Sequence, residues 1–183
     1  MIYLDMDGVL CDFVGASCRV HNKDKKTVAC WNYMTDEWGM TYDEFWVPIN
    51  AEGFEFWTEL EPTPWAFELI DMVEYFDPNF HICTNPSRSW TSAAGKIIWL
   101  QKYLGKKSNW IMMKNKSMLA LPSNILIDDS SNNCVKFHRH GGRYITIPQP
   151  WNDLSMFPDM SKKGILDYVQ SELETIFDKE YKP

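Results

Sequence analysis

Two aspartates stand one residue apart near the start of the chain, in the stretch MIYLDMDGVLCDF. Asp5 and Asp7 follow the apolar run IYL and precede Gly8. Carboxylates at this spacing can take adjacent roles at one phosphorus atom, the first as a nucleophile and the second as general acid and base. Gly8 permits the tight turn that brings both acids to one substrate. The stretch therefore indicates covalent chemistry at a phosphate.

A second acidic pair, Asp128 and Asp129, directly follows the apolar run NILI. Both apolar runs are typical of strands buried in a parallel sheet, and the carboxyl ends of such strands meet at one edge. We therefore expect the two acidic pairs to converge. Four carboxylates in one crevice repel each other unless a cation or a proton neutralises them. Mg²⁺ suits such an all-oxygen site, so the sequence predicts that this ion binds there.

Polar residues also follow two other apolar runs. Thr84 and Asn85 come after the run FHIC, and Lys114 and Lys116 come after the run NWIMM. If these runs are strands of the same sheet, a hydroxyl and two ammonium groups join the acids at its edge. A lysine and a divalent cation together stabilise the charge of a phosphoryl group in transfer. The combination predicts phosphoryl transfer through an aspartyl-phosphate on Asp5.

The rest of the pattern predicts an α/β protein with a parallel sheet covered on both faces. The predicted strands are residues 2–4, 80–83, 109–113, 124–127 and 143–147. The predicted helices are residues 65–76, 87–105, 132–142 and 162–177. Residues 14–62 break this alternation, because they are rich in Trp, Tyr, Met and acidic residues and lack a β signal. We expect them to form a small, mostly helical cap on a core of residues 1–13 and 63–183.

The composition limits the classes of partner. The 183 residues carry a formal net charge of -7, which argues against a nucleic-acid polymer but allows a small phosphate ligand. The five cysteines are an odd number without C-x-x-C spacing, which is typical of reduced thiols in the cytoplasm. No apolar run approaches a membrane span, and the N-terminus lacks the features of a signal peptide. We therefore expect a cytoplasmic protein without a membrane partner.

These motifs resemble those of the haloacid dehalogenase (HAD) superfamily of phosphotransferases. They are D-x-D-G-V at residues 5–9, a strand-end threonine at Thr84, a lysine at Lys116 and the acids of ILIDD. More narrowly, the chain looks like the 5′(3′)-deoxyribonucleotidase family in the segments DMDGVLCDF, EFWVPIN, ELEPTPWA, HICTNPS, MMKNKS and ILIDDS. The resemblance implies a Rossmann-like core with a small helical cap and a requirement for Mg²⁺. It also implies removal of phosphate from deoxyribonucleoside monophosphates, often those with pyrimidine bases.

The resemblance implies roles for individual residues. Asp5 is expected to be the nucleophile and a Mg²⁺ ligand, and Asp7 the acid and base, with its backbone carbonyl on the ion. Asp129 is expected to bind Mg²⁺ directly, with Asp128 in support. The implied phosphate-binding residues are Thr84, Asn85 and Lys116. The implied residues of the nucleotide pocket are Phe13, Phe45, Trp46, Val47 and Lys114. Relatives often have serine in place of Asn85 and arginine in place of Lys114.

Two other functions stay open at this point. A HAD phosphatase acting on a sugar phosphate or another small phosphometabolite would use the same motifs, and the aromatic cap is what favours a base. A non-catalytic phosphoacceptor module of the receiver type also combines acids, Mg²⁺ and an aspartyl-phosphate, but it carries its acidic pair near the N-terminus. For Phe45 and Trp46, the alternative is that they close a small core. Base preference, 5′ or 3′ selectivity and a homodimer also stay open.

Overall fold

The centre of the protein is a parallel sheet. A computed structural model describes residues 1–105 and 109–180; residues 106–108 and 181–183 of the predicted core lie outside this range. The strands are β1 (Ile2–Leu4), β2 (His81–Thr84), β3 (Trp110–Met112), β4 (Ile125–Asp128) and β5 (Arg143–Thr146). They are ordered β3-β2-β1-β4-β5, and every neighbouring pair is parallel. The predicted α/β class and each predicted strand are confirmed, with strand ends within one residue of those expected.

Helices connect and cover the strands. They are α1 (Phe13–Val20), α2 (Tyr33–Asp36), α3 (Tyr42–Ala51), α4 (Phe54–Thr58), α5 (Ala66–Phe76), α6 (Trp90–Leu104), α7 (Ser131–Arg139) and α8 (Lys162–Glu180). The last four match the predicted helices, although α6 begins three residues late because Ser89 before it is extended. Helix α7 ends three residues early, where Gly141 takes a φ of 96° and turns the chain towards β5. In the described ranges, the helices all lack either the length or the apolar character needed to cross a bilayer.

The strands bury side chains on both faces of the sheet. Ile2 and Leu4 belong to a large core cluster to which helices α1, α5, α6 and α8 contribute. Tyr3, between them, belongs to a smaller cluster with Phe137 of α7. Successive side chains of a strand point to opposite faces, so one short strand contributes to both clusters. This double burial explains why the strands are continuous apolar runs rather than alternating ones.

Residues 14–62 are helical, as their sequence predicted. They hold most of α1, all of α2 to α4 and a short 3-10 helix at Lys25–Thr27. Phe45 and Trp57 from this segment are buried in the same cluster as Leu4 of the sheet. The division of the chain into a core and a cap stays a prediction.

The helical segment leaves and rejoins the sheet layer at one point. The carbonyl of Val9 accepts hydrogen bonds from the Thr63 hydroxyl at 2.8 Å and from the Trp65 indole at 2.9 Å. The backbone N–H of Asp12 donates to the carbonyl of Glu61 at 2.8 Å. These bonds fix the loop that follows Asp7 to the chain that enters α5. The acids at the end of β1 are therefore held by both ends of the segment.

Helices α4 and α6 pack closely because a glycine lies between them. A Cβ atom added to Gly95 of α6 would lie 2.5 Å from the Cβ of Trp57 on α4 and 3.4 Å from the carbonyl oxygen of Phe54. Carbon atoms do not approach this closely, so no larger residue fits without moving α4. The contact also positions the Trp57 ring, which lines a cavity beside the ends of the strands.

Gly95→Ala is expected to lower the free energy of unfolding by about 1 kcal/mol. Alanine is the better helix former by about 1 kcal/mol, but overpacking of this kind costs about 1–3 kcal/mol and outweighs the gain. Urea unfolding of the variant measures the effect. Gln101→Ala, an exposed change on the same helix, serves as control and should stay within about 0.5 kcal/mol of the natural protein. A Gly95→Ala protein as stable as the natural one would contradict the packing argument.

Candidate active site

Polar residues from three strands meet at one edge of the sheet. Asp5 follows β1, while Thr84 and Asp128 are the last residues of β2 and β4, the strands on either side of β1. One ligand atom from each of Asp5, Asp128 and Asp129 lies within 4.8 Å of the others, and all three residues are buried. The acids therefore converge as the parallel topology predicted.

Lys116 provides positive charge inside this acidic cluster. Its Nζ atom lies 2.5 Å from Oδ1 of Asp5 and 2.6 Å from Oδ2 of Asp128, and its side chain is 3% exposed. Asp128 also accepts hydrogen bonds from the backbone N–H of Ser130 at 2.8 Å and from the side-chain amide of Asn133 at 3.1 Å. Three protein donors thus engage Asp128, which leaves Asp5 and Asp129 as the better placed ligands for a cation.

One ammonium group does not balance three buried carboxylates. Burial raises the pKa of Asp5 to about 7; the Lys116 ammonium opposes this shift, and the charges of Asp128 and Asp7 add to it. Burial, followed by the charges of Asp128 and Asp5, also raises the pKa of Asp129 well above its ordinary value. The cluster is short of positive charge and consists of oxygen donors. It therefore fits Mg²⁺, which prefers carboxylate and carbonyl oxygens.

A second ion pair, between Asp7 and Lys96, lies beside the first. Lys96 Nζ contacts Oδ2 of Asp7, donates to the Thr84 hydroxyl at 2.7 Å and lies 3.5 Å from the carbonyl oxygen of Asn85. Lys96 is fully buried, whereas 28% of the Asp7 side chain is exposed. The Cys11 thiol lies 3.6 Å from Oδ1 of Asp7. Both oxygens of this carboxylate are therefore held by a donor.

Sequence reasoning missed Lys96. Lysine is almost never fully buried unless it is paired, and Lys96 lies on a buried face of α6 with Ser92, Gly95 and Trp99. Counted from Ser92, the four residues stand at positions i, i+3, i+4 and i+7, which is the spacing of one helix face. A lysine in such a row of small and apolar residues was the signal of an internal ion pair.

A cavity of about 330 Å³ opens beside the two ion pairs. Its polar lining includes Asp5, Asp7, Asn85, Lys116 and Asp129. Its aromatic lining consists of Phe13, Trp31, Tyr33, Phe45, Trp46, Trp57 and Trp151. Thr84 is fully buried and contacts this site through Lys96. The cavity thus combines charged groups with a mainly aromatic wall, as small-molecule sites commonly do.

The Trp57 ring is stacked on two other rings of the wall. The Phe13 and Trp57 rings stack with centroids 5.8 Å apart and an angle of 21° between their planes. The Trp46 and Trp57 rings have centroids 6.5 Å apart at 15°. The Nζ atom of Lys96 lies 5.3 Å from the Trp57 ring centroid. Trp57 therefore joins the aromatic wall to the charged groups.

Two residues expected in the nucleotide pocket lie outside this cavity. Val47 is 62% exposed. Consecutive residues of an α-helix are turned by about 100°, so Val47 lies about 200° around α3 from Phe45. Phe45 and Trp46 therefore face the cavity, and Val47 faces solvent. Lys114 is exposed in the turn that follows β3, while Lys116, two residues later, points inward. The structure thus corrects the expected pocket at these two positions.

In the metal-free protein, the Asp5 contribution to the free energy of unfolding is expected to fall as the pH rises from about 4 to about 7. The folded pKa of Asp5 is raised from 3.8 to about 7, so in this interval the folded state binds more protons than the unfolded state. Urea unfolding in EDTA at several pH values, with Asp5→Asn as reference, measures this. The natural protein should lose stability relative to Asp5→Asn with rising pH; a difference independent of pH would contradict the raised pKa.

Comparisons with known proteins place this chain among nucleotidases. A family model described as "5' nucleotidase, deoxy (Pyrimidine), cytosolic type C protein" matches residues 1–157. The chain is 27% identical over 143 residues to human mitochondrial 5′(3′)-deoxyribonucleotidase, covering 70% of this chain and 61% of the human protein. It is 26% identical over 142 residues to a putative 5′(3′)-deoxyribonucleotidase of Bordetella bronchiseptica, covering 70% of this chain and 73% of that protein. The match therefore spans less than two thirds of the human relative.

Solved structures share the fold. A HAD family hydrolase from Deinococcus radiodurans R1, solved with bound phosphate and sodium, has a TM-score of 0.63 at 14% identity, over 96% of this chain and 95% of that one. A HAD-superfamily hydrolase from Geobacter sulfurreducens has a TM-score of 0.53 at 11% identity, over 91% and 94% of the two chains. Since the family model extends over most of the sequence, the chain belongs to the family described as 5′ nucleotidase, deoxy (pyrimidine), cytosolic type C.

Proposed function

We propose that this protein is a Mg²⁺-dependent phosphatase that hydrolyses the 5′ or 3′ phosphate of deoxyribonucleoside monophosphates. The observation that carries the proposal is a cavity with an aromatic wall that Asp5, Asp7 and Lys116 line, with the buried Lys96 paired to Asp7. The names of the curated relatives support the substrate class. The phosphate in the related Deinococcus hydrolase supports the type of ligand.

Asp5, Asp129 and the backbone carbonyl of Asp7 would hold the Mg²⁺ ion, and Asp128 would support them by holding Lys116. When bound, the ion neutralises the carboxylates and the negative charge of the phosphate. Lys116 occupies Oδ1 of Asp5 and favours the ionised carboxylate that a nucleophile requires. The buried lysine therefore prepares Asp5 for attack.

The reaction would proceed in two steps on the chain's own acids. In the first, a carboxylate oxygen of Asp5 attacks phosphorus, the bond to the sugar oxygen breaks, and Asp7 gives that oxygen a proton. In the second, Asp7 takes a proton from water, whose oxygen attacks the aspartyl-phosphate and releases inorganic phosphate. Asp7 suits this exchange because its side chain is the partly exposed carboxylate of the group, open to both sugar and water.

The phosphate would be held by Thr84, Asn85 and the two lysines. Lys96 Nζ lies among Asp7, Thr84 and the Asn85 carbonyl, so a phosphate at this point can take the ammonium from Asp7. That transfer would free Asp7 to carry the proton it donates. Lys96 thus has a role in addition to those implied for Thr84, Asn85 and Lys116.

The base would lie against the aromatic wall. Phe13, Phe45 and Trp46 line the cavity, and the buried Trp57 ring stacks on Phe13 and Trp46 and supports them. Aromatic rings of this kind stack on a base and exclude water from the phosphoryl step. Residues 14–62 would act as a cap that closes over the substrate. A cytoplasmic location and a homodimer are expectations that accompany this proposal.

A substrate panel with Asp5 and Asp7 variants tests the proposal. The natural protein should release phosphate from dUMP and dTMP, more slowly from a sugar phosphate, and not in EDTA. Asp5→Asn should lower the rate by about 10³-fold or more, as loss of a nucleophile does. Asp7→Asn should release a burst of p-nitrophenolate from p-nitrophenyl phosphate and then stall, because that leaving group needs no proton while the second step needs a base.

The control is Asp71→Asn, which removes an exposed carboxylate from α5 and should leave the rate unchanged. Full activity of Asp5→Asn would refute the nucleophile. Faster hydrolysis of the sugar phosphate would favour a phosphatase of small phosphometabolites. Stoichiometric phosphorylation of Asp5 without turnover would favour a phosphoacceptor module.

Lys96→Met is expected to lower kcat/KM for dUMP by about 10²–10³-fold, the usual effect of losing a group that stabilises charge in the transition state. Methionine keeps most of the side-chain volume, so the aromatic wall should persist. Lys102→Met removes a partly exposed lysine from the same helix, paired with Glu59 at 3.4 Å, and should change kcat/KM less than about twofold. Equal activities of the two variants would exclude Lys96 from phosphate binding.

A further inference from the structure

The loop that follows β5, residues 147–154, donates hydrogen bonds to the turn after Asp7 and to Asp129. The side-chain amide of Gln149 donates to the carbonyl of Gly8 at 2.6 Å. The Trp151 indole N–H donates to Oδ2 of Asp129 at 2.8 Å. The side-chain amide of Asn152 donates to the backbone carbonyl of Asp129 at 2.8 Å. One loop therefore holds the turn after Asp7 and both the backbone and the side chain of Asp129.

The carboxylate of Asp129 has little freedom to rotate. A Cβ atom added to Gly8 would lie 2.2 Å from Oδ2 of Asp129, and Gly8 takes a φ of 74°. The absence of a side chain at Gly8 is what lets the carboxylate lie there. Asp129 is 4% exposed and Trp151 is 5% exposed, so water does not compete for this hydrogen bond. Together, Gly8 and Trp151 fix one oxygen of Asp129 against the protein.

The donor on Asp129 differs in kind from those on the neighbouring acids. Asp5 and Asp128 are paired with the Lys116 ammonium, whereas among residues 1–105 and 109–178 no lysine or arginine forms an ion pair with Asp129. An indole N–H carries no full charge. It orients a carboxylate without supplying the positive charge that a bound cation would supply.

We propose that Trp151 is a positioning residue for the divalent cation, because its indole N–H holds Oδ2 of Asp129 and leaves Oδ1 for the ion. The inference rests on the proposed function insofar as that function assigns Asp129 to the ion. Hydrogen bonds to metal-binding side chains fix their orientation and raise affinity, and their loss costs about 10–100-fold in metal affinity. The residue thus sets how tightly the site holds Mg²⁺.

Titration of Mg²⁺ into the metal-free protein, followed by calorimetry, tests the inference. Trp151→Phe keeps an aromatic ring but lacks the N–H donor, and its affinity for Mg²⁺ should fall at least about tenfold. Trp99→Phe is the matched control, because Trp99 is also a buried tryptophan whose indole donates one hydrogen bond, to the carbonyl of Leu60 at 2.7 Å. Trp99→Phe should lower stability and leave Mg²⁺ affinity unchanged. Equal Mg²⁺ affinity in Trp151→Phe and the natural protein would overturn the inference.

Trp151→His separates the donor from the ring. The five-membered ring of histidine can place an N–H where the indole has its own, while the variant loses the six-membered ring. If the donor matters, Trp151→His binds Mg²⁺ more tightly than Trp151→Phe although it is less stable. This variant also decides the case if Trp151→Phe fails to fold: affinity near that of the natural protein supports the inference, and a tenfold loss overturns it.

The calorimetric measurement distinguishes the inference from the proposed function. If the natural protein binds Mg²⁺ but hydrolyses no nucleotide, the proposed function is overturned and the inference about Trp151 can still hold. If the natural protein hydrolyses nucleotides and Trp151→Phe binds Mg²⁺ equally tightly, the proposed function stands and the inference about Trp151 is overturned. The saturating rate gives a further readout, because kcat of Trp151→Phe should recover at high Mg²⁺ if positioning of the cation is its defect.

Discussion

The burial of three carboxylates at one edge of the sheet is the constraint on which the rest of the structure depends. Each buried ion costs several kcal/mol unless it is paired and hydrogen bonded. The sheet order offsets this cost, because β1 lies between β2 and β4 and so brings Asp5 beside Asp128, within reach of Lys116. The positive charge that is still lacking is what a bound cation would supply at this edge. Stability and the proposed cation binding would therefore depend on the same arrangement of residues.

Two buried lysines neutralise different carboxylates at this edge of the sheet. Lys116 is enclosed by Asp5 and Asp128, and removing it would leave two buried charges without a partner, so its first role is to make the fold tolerable. Lys96 pairs with the partly exposed carboxylate of Asp7, which lines the cavity, and with the buried hydroxyl of Thr84. If phosphate binds as proposed, it would replace Asp7 as the partner of Lys96 at little cost in buried charge. Lys116 would keep Asp5 and Asp128 as its partners when it contacts the phosphate.

The sequence predicted the features that depend on local pattern and topology, and missed those that depend on the directions of side chains. Short apolar runs placed the five strands, and their polar ends placed Asp5, Thr84 and Asp128 together. The role of Lys96 was not predicted, because a charged residue within a helix is ordinarily solvated. Its burial follows from the packing of α6 against α4. Val47 was expected in the pocket because the family resemblance implied it, although one step along a helix turns a side chain by about 100°. The hydrogen bond from Trp151 joins residues 22 positions apart, which no local pattern encodes.

Under the proposed function, one residue would join recognition of the base to the chemistry at the phosphate. The Trp57 ring stacks on Phe13 and Trp46 on the aromatic wall, and it lies 5.3 Å from the Lys96 ammonium, close enough for a cation–π interaction. Gly95 precedes Lys96 and has no side chain, which allows Trp57 to approach. A change of the wall at Trp57 therefore alters the surroundings of Lys96 as well as the shape of the pocket. Because a single indole would serve both in the proposed function, variants selected for a different base should also change the rate of the phosphoryl step.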